Sequence, residues 1–491
     1  MENYEEVEDY DSIVKRCESK ELKLADIVDK PTRPFKRPYK NASEEKFHMW
    51  LLENQSESKN AMHYSKSAMN RLKPIQLNEM MVNKVHAGHY LLCRAVSEFS
   101  VCNNCLLGFV EDENGDRIEA ELNNYVVTSD ASSSSDDILA SVFAIKEPYI
   151  RIARNSEQGS VICVSSPTDV VMIYDNKLNG SFSRLDDNQD YEHLQREGNI
   201  YFIAKRYHKA LDFYQRALAI RKTKTILLNV SAAFMALNNH WQAYLHAKQS
   251  LSVDDGDGDD DARREKLNEE KARFRMASAL YAMRQWSDAI ESYEKCLEVN
   301  ASNKEAANGL KMARERMNES RTGVYDLKDL FKRVYLNREA DVMVGEYVSD
   351  QMEIRDITKR NKGVFAISDI SPGTLLVVSK AVALFDEPTA TSSSLMLATL
   401  AQRLQSNPHL AKDFYALYAG DKFNRNDPVP AGLVDTHRAY EIYRFNTFSN
   451  TNLFKAYKVT DQLPLGLWIY PARLNHSCLP NVVSIYFNDI M

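Results

Sequence analysis

The sequence predicts an α+β multidomain chain: a small β-rich barrel or sandwich, an α-helical repeat array, then a mixed, β-rich third domain. Three observations carry this expectation. A length of 491 residues asks for about three domains. Between residues 84 and 180, short runs rich in Val, Ile and Tyr alternate with polar clusters, a strand pattern. Between 190 and 320, apolar and small residues return at helical spacing in similar copies.

Composition narrows the class. Apolar residues make up 44% and charged residues 27%, an ordinary globular balance. With 62 Lys and Arg against 69 Asp and Glu, the net charge is −7, which argues against nucleic acid as a general partner. Seven scattered cysteines do not make a secreted disulfide framework. The acidic start, MENYEEVEDYD, is no signal peptide, and no run of apolar residues is long enough to span a membrane. A cytoplasmic or nuclear setting, or both, is expected.

Residues 1–42 read as a flexible lead-in containing the basic run KPTRPFKRPYK, and 43–83 as a helical segment opened by SEEKFHMWLLENQ. The β-rich domain follows in HYLLCRAV, ILASVFAI, YIRIA, SVICVSS and DVVMIYD. It holds twice as many acidic as basic residues, unlike an oligonucleotide-binding barrel. Cys102-x-x-Cys105 has no second close pair, since Cys93 and Cys163 are solitary; buried free thiols are favoured over structural zinc.

In the array, Gly198, Tyr201, Tyr207, Ala210, Tyr214 and Ala217 align with Ser231, Phe234, His240, Ala243, Ala247 and Ser250. A third copy is Ala277, Leu280, Trp286, Ala289, Tyr293 and Cys296. This pattern resembles three tetratricopeptide repeats, whose helical hairpins stack because none buries its apolar face alone. An acidic insertion, DDGDGDDD at 254–261, separates the second and third copies. It fails as a calcium loop started at Asp255, because Asp260 takes the glycine position and Lys266 that of the bidentate Glu. By resemblance to carboxylate-clamp tetratricopeptide proteins, Asn199, Asn229, Lys271 and Arg275 occupy peptide-binding positions, with Gln195 where those proteins carry Lys. That resemblance implies the acidic C-terminal tails of heat-shock chaperones as partners. Solubilising surface residues are the alternative reading of the same four positions.

The third domain, 341–491, reads as strands in QMEIRDI, GVFAIS and GTLLVVSKAVALF, then helices, then LGLWIYPARLNHSCLPNVVSIYF. Composition alone says nothing of its chemistry. Three motifs do, in order: Lys362-Gly363-Val364-Phe365-Ala366, Phe445-Asn446-Thr447-Phe448 and Leu474-Asn475-His476-Ser477-Cys478-Leu479-Pro480-Asn481. Together they resemble SET-domain protein-lysine methyltransferases of the SET-and-MYND type. The resemblance implies S-adenosylmethionine as cofactor, held by Arg360, Lys362, Gly363, Asn446, Leu474, Asn475 and His476, with Phe448 as a catalytic wall of the lysine channel. Such channels lower the lysine pKa by desolvation so that a neutral amine attacks, and in-line placement supplies much of the rate.

Several features depart from the family. Asn361 stands where the family carries Gly, and no MYND finger is visible. In the family, Cys478 would be one zinc ligand and three further cysteines lie beyond the signature. The sequence stops 13 residues after Cys478, so zinc is expected only if more cysteines follow Met491. The Gly-Glu-Glu element and channel tyrosine would also follow; Tyr486 does not match that tyrosine. The SET domain therefore reads as C-terminally incomplete. Two readings stand open: a methyltransferase with repeats for protein binding, and an inactive repeat scaffold.

Overall fold

The computed structural model describes residues 63–96, 99–102, 105–125, 142–152, 160–173, 182, 190–253, 262–337, 339, 341–358, 361–385, 390–424, 426–449 and 465–491. The lead-in, the SEEKFHMWLLENQ run, the acidic insertion and Arg360 lie outside these residues. Where the expected helical segment is described, at 63–83, it is not an α-helix. It runs extended, with single 3-10 turns at Met69–Arg71 and Leu77–Glu79. The override is tertiary. β1 (Lys73–Pro74) pairs in parallel with β2 (His89–Ala95), while Leu77 and Met80 enter the β-domain core.

The β-rich region is one continuous mixed sheet, not the two facing sheets of a sandwich. Its other strands are β3 (Ser100–Cys102), β4 (Cys105–Asp112), β5 (Arg117–Leu122), β6 (Val142–Lys146), β7 (Tyr149–Ile152), β8 (Ser160–Val164) and β9 (Val170–Met172). The order is β7-β8-β5-β4-β2-β6-β9, with β3 beside β4. One core collects Leu91, Leu106, Val110, Ile118, Phe143, Ile145, Ile150 and Ile162, as a curled sheet requires. Cys93, Cys105 and Cys163 are buried.

The array is built from hairpins of α1 (Tyr191–Ile203) and α2 (Tyr207–Ile220), α3 (Lys224–Ala236) and α4 (His240–Ser250), α5 (Ala262–Ala282) and α6 (Trp286–Val299). Asp190 and Thr223 cap α1 and α3 by accepting from His193 and Ile226 N–H groups. Each hairpin turns through one left-handed residue at the same repeat position: Lys205, Asn238 and Arg284. Each turn is closed alike, by Arg206 N–H to Tyr201 O, Asn239 N–H to Phe234 O and Gln285 N–H to Leu280 O, all at 2.9 Å. The aligned small residues Ala210, Ala243, Ala247, Ala277 and Ala289 have no exposure, so the helices meet at close range. α7 (Lys304–Thr322) covers the last hairpin through Ala306, Leu310 and Ala313.

A short α8 (Leu327–Phe331) leads to the third region. There β10 (Tyr347–Val348) pairs with β13 (Val377–Val378), and β11 (Met352–Thr358) forms a hairpin with β12 (Asn361–Ala366). β14 (Ala383–Phe385), β16 (Leu465–Leu467) and β15 (Thr447–Ser449) make a three-stranded sheet with β16 central. Helices α9 (Ala390–Ser406), α10 (Pro408–Tyr415) and α11 (Thr436–Asn446) pack a core around Leu400, Leu404, Phe414 and Ile442. The region is bolted to the array where Arg316 donates to Met343 O, Gly345 N–H donates to Glu319, and Asn407 donates to Met283 O. It meets the β-rich region where the Ser166 hydroxyl donates to Val434 O at 2.8 Å. No helix among the described residues is long and apolar enough to cross a membrane.

Residues 63–67 strap across the sheet by burying a carboxylate. Asp169 accepts from Ser65 N–H at 3.0 Å and lies 3.6 Å from Lys146. Burial pushes its carboxyl up to about 7, against Ser65 and Lys146, which favour the ion. The folded chain thus holds a proton that an unfolded aspartate, near 3.8, releases. This stability is fully present below that lower value and is lost as pH rises through about 7. Wild type should therefore gain stability over Asp169→Asn as pH falls across that window, measured by urea unfolding. A difference that stays flat with pH would refute the assignment.

Candidate functional sites

Two surfaces collect the residues singled out by sequence. The first lies where the signature loop meets the β11–β12 hairpin. The chain leaves the buried Trp468, turns through a 3-10 helix at Pro471–Arg473 and enters the loop at Leu474. Asn475 then donates from Nδ2 to the Val364 carbonyl of β12 at 3.1 Å. That bond sets its oxygen beside Gly363, where an added Cβ would stand 2.7 Å from Asn475 Oδ1 and 2.5 Å from Ile357 Cδ1. The motif glycine and the motif asparagine, distant in sequence, are therefore neighbours, and a side chain at Gly363 would push Asn475 and Ile357 aside.

The other residues of this group scatter around that contact. Lys362 is exposed on β12, and Leu474 is exposed beside Asn475. His476 Nε2 lies 3.5 Å from Cys478 Sγ, both exposed. No cluster of three or more His, Cys, Asp or Glu able to hold a metal occurs among the described residues. Asn446 ends α11 and is buried; its amide donates to Tyr418 O at 2.8 Å and Ile442 O at 2.6 Å. Its donors thus hold the helix end. Phe448, on β15, packs against the cluster of Ala381, Trp468 and Tyr486. Beyond Asn475 the loop stays open, with Leu479 89% and Val483 90% exposed. Arg360 lies outside the described residues.

The second surface is the face formed by α1, α3 and α5. Asn199 of α1 accepts through Oδ1 from Asn229 Nδ2 of α3 at 3.2 Å. One residue before Asn229, the Leu228 carbonyl accepts from Arg275 Nη1 of α5 at 2.6 Å. Three of the four predicted peptide-binding residues thus form one row, and Lys271 stands exposed one turn before Arg275. Arg275 is partly buried and pairs with no carboxylate among the described residues. Burial pulls its pKa down to about 10, so it stays a cation at neutral pH. A cation held away from water with no counter-charge does not solubilise a surface. Its natural complement is an anion.

Sequence reasoning missed two supports. Tyr214, read as a core position, also bonds Asn199, and Ile357, unmarked by any motif, walls Gly363. The repeat alignment placed Tyr214 beside Gly198 but carried no signal for its hydroxyl.

No family model matches the chain. A protein named methyltransferase from Gibberella zeae is similar along most of it. The two are 23% identical over 476 residues, covering 86% of this chain and 62% of the relative. The chain thus spans less than two thirds of that relative's length. Over 130 residues it is 30% identical to small glutamine-rich tetratricopeptide repeat-containing protein 2 of Mycosarcoma maydis, covering 26% of this chain and 34% of that one. Among solved structures, the Sgt2 TPR domain from Aspergillus fumigatus is 26% identical with a TM-score of 0.23, covering 31% of this chain and 85% of its own. The first TPR of Spaghetti (RPAP3), bound to an HSP90 peptide, is 23% identical with a TM-score of 0.23, covering 27% and 95%. Scores this low carry no argument, and the repeat architecture rests on the recurring turns and contacts of the hairpins.

If Arg275 is held for a ligand and not for stability, removing its charge should cost the free chain little. Arg275→Met should be neutral or stabilising, within about 2 kcal/mol, by thermal unfolding. A large loss of stability would mean that the guanidinium is structural.

Proposed function

We propose that the chain is an S-adenosylmethionine-dependent protein-lysine methyltransferase of the SET class, with a repeat array that binds protein. The observation that carries this reading is the meeting of Gly363 and Asn475 across the β12 edge. S-adenosylmethionine, when bound, supplies an electrophilic methyl group on sulfur. Gly363 suits such a site because its missing side chain lets Asn475 close against the β12 backbone, with the carboxamide held at the strand edge. Asn475, fixed by the Val364 carbonyl, is positioned to hold polar atoms there, and Lys362, Leu474 and His476 border the same edge. Phe448, packed with Trp468 and Tyr486, offers an aromatic surface suited to the side chain of a substrate lysine. The similarity to the Gibberella zeae methyltransferase supports the reading. Among the described residues Cys478 has His476 beside it, and zinc enters this proposal only if further cysteines follow Met491. A cytoplasmic or nuclear setting belongs to the same proposal.

A second reading is favoured by Arg275, which pairs with no carboxylate among the described residues: a scaffold whose groove captures acidic C-terminal tails, with chaperones as partners. Asn199, Asn229, Lys271 and Arg275 would hold the terminal carboxylate by charge-assisted hydrogen bonds. Both functions fit one chain, since the two surfaces lie on different elements.

The tests separate them. Radiolabelled methyl transfer to protein lysine should fall about a hundredfold in Asn475→Ala and His476→Ala, because misplaced reactants lose the rate gained by orientation. Transfer no greater in wild type than in these variants would leave only the scaffold. An acidic C-terminal chaperone peptide should bind wild type and lose about tenfold or more in the Lys271→Ala, Arg275→Ala double variant. Equal binding would remove the clamp.

A further inference from the structure

The row of groove residues rests on a group that belongs to none of the peptide-binding positions. Tyr214 lies on α2, behind the groove face, and is buried. Its ring packs against α1, so close that a Cβ on Gly198 would stand 2.4 Å from Tyr214 Cε1. Gly198 is thus the opening through which the ring reaches the groove residue next in the chain. The hydroxyl donates to Asn199 Oδ1 at 2.8 Å. The same oxygen accepts from Asn229 Nδ2 at 3.2 Å. Two donors therefore converge on one carboxamide oxygen and favour the orientation with that oxygen inward. The Asn199 N–H2 edge has no partner among the described residues and is the edge left for a ligand.

A related contact occurs in the third hairpin. Tyr293 and Ser278 stand at the same repeat positions with their hydroxyls 3.4 Å apart, while Ala277 takes the place of Gly198. Burial pushes the Tyr214 hydroxyl up to about 12, so it remains a donor throughout the neutral range.

We propose that Tyr214 is a positioning residue which locks the Asn199 carboxamide with its donors outward and so makes the groove selective for a free peptide carboxylate over a carboxamide. This inference rests on the clamp reading of the same groove. Asn199, Lys271 and Arg275 would then all offer donors to a ligand. Without the Tyr214 hydroxyl, the Asn199 amide can turn over and present an acceptor, which tolerates the N–H2 of an amidated peptide and weakens the hold on a carboxylate.

The test uses the full chain and one acidic pentapeptide in two forms, with a free C-terminus and with a C-terminal amide, titrated by calorimetry. Wild type should prefer the free acid by at least about tenfold, the scale of a charge-assisted hydrogen bond. Tyr214→Phe keeps the ring and should lower that ratio severalfold, chiefly by improving its relative affinity for the amide. In an Asn199→Ala background, the same change should have no effect on the ratio, which a purely structural role for the hydroxyl would not produce. Asn199→Ala leaves the Tyr214 ring packed and should itself show the reduced preference. A wild-type chain that binds both peptides equally overturns the clamp and this inference with it. A clear wild-type preference retained in Tyr214→Phe or in Asn199→Ala overturns the inference alone.

Discussion

The backbone contact at Gly345 sets the relation between the two halves of the described structure. A Cβ there would stand 2.0 Å from the Arg316 carbonyl of α7, so only glycine lets the chain pass this close. Around the crossing, Glu319 accepts from Gly345 N–H, Arg316 donates to Met343 O, and the Tyr325 hydroxyl donates to Gly345 O. Val342 and Val344 are thereby turned into a small core with Leu330, Val378 and Ile490. Next to it, Lys380 is buried between Asp341 at 2.7 Å and Asp489 at 2.6 Å. Asp489 also offers its carbonyl to Ala381 N–H and to the Trp468 indole. A steric constraint at one glycine is carried in this way to the sheet and the tryptophan that precede the signature loop.

The two candidate surfaces use different physics. At the β12 edge, a ligand would be placed by shape, beside one carboxamide seated against a glycine. On the repeat face it would be drawn by charge, toward a guanidinium that has surrendered water without gaining a carboxylate among the described residues. The first kind of site selects by fit and the second by sign, and a chain carrying both can hold a protein at one place and act on it at another.

Much of this was legible in the sequence, and the failures have causes. The repeats could be read because helix-on-helix packing demands small residues at fixed intervals, and Ala210, Ala243 and Ala289 occupy equivalent positions. Gly363 and Asn475 were assigned to one pocket by family resemblance alone, since no spacing rule gives their separation. The stretch 63–83 was misread because helical periodicity is local, whereas the pairing of Lys73–Pro74 with β2 is decided by a partner along the chain. The sheet's continuity was also hidden, since strand runs do not reveal whether they close around one core or two. Tyr214 escaped because a tyrosine at a packing position is explained by its ring, and the direction of one hydroxyl leaves no trace in the pattern.

The joint at Gly345 has a consequence for how the array comes apart. Stacked hairpins hold only their neighbours, so such a stack frays from whichever end is less secured. The α7 end is fastened to the third region, whereas no such bond holds the α1–α2 hairpin among the described residues. Asn199 belongs to that hairpin and Arg275 to the third. A peptide tail gripped by both would act as a lace across the stack, tying its first hairpin to its anchored end.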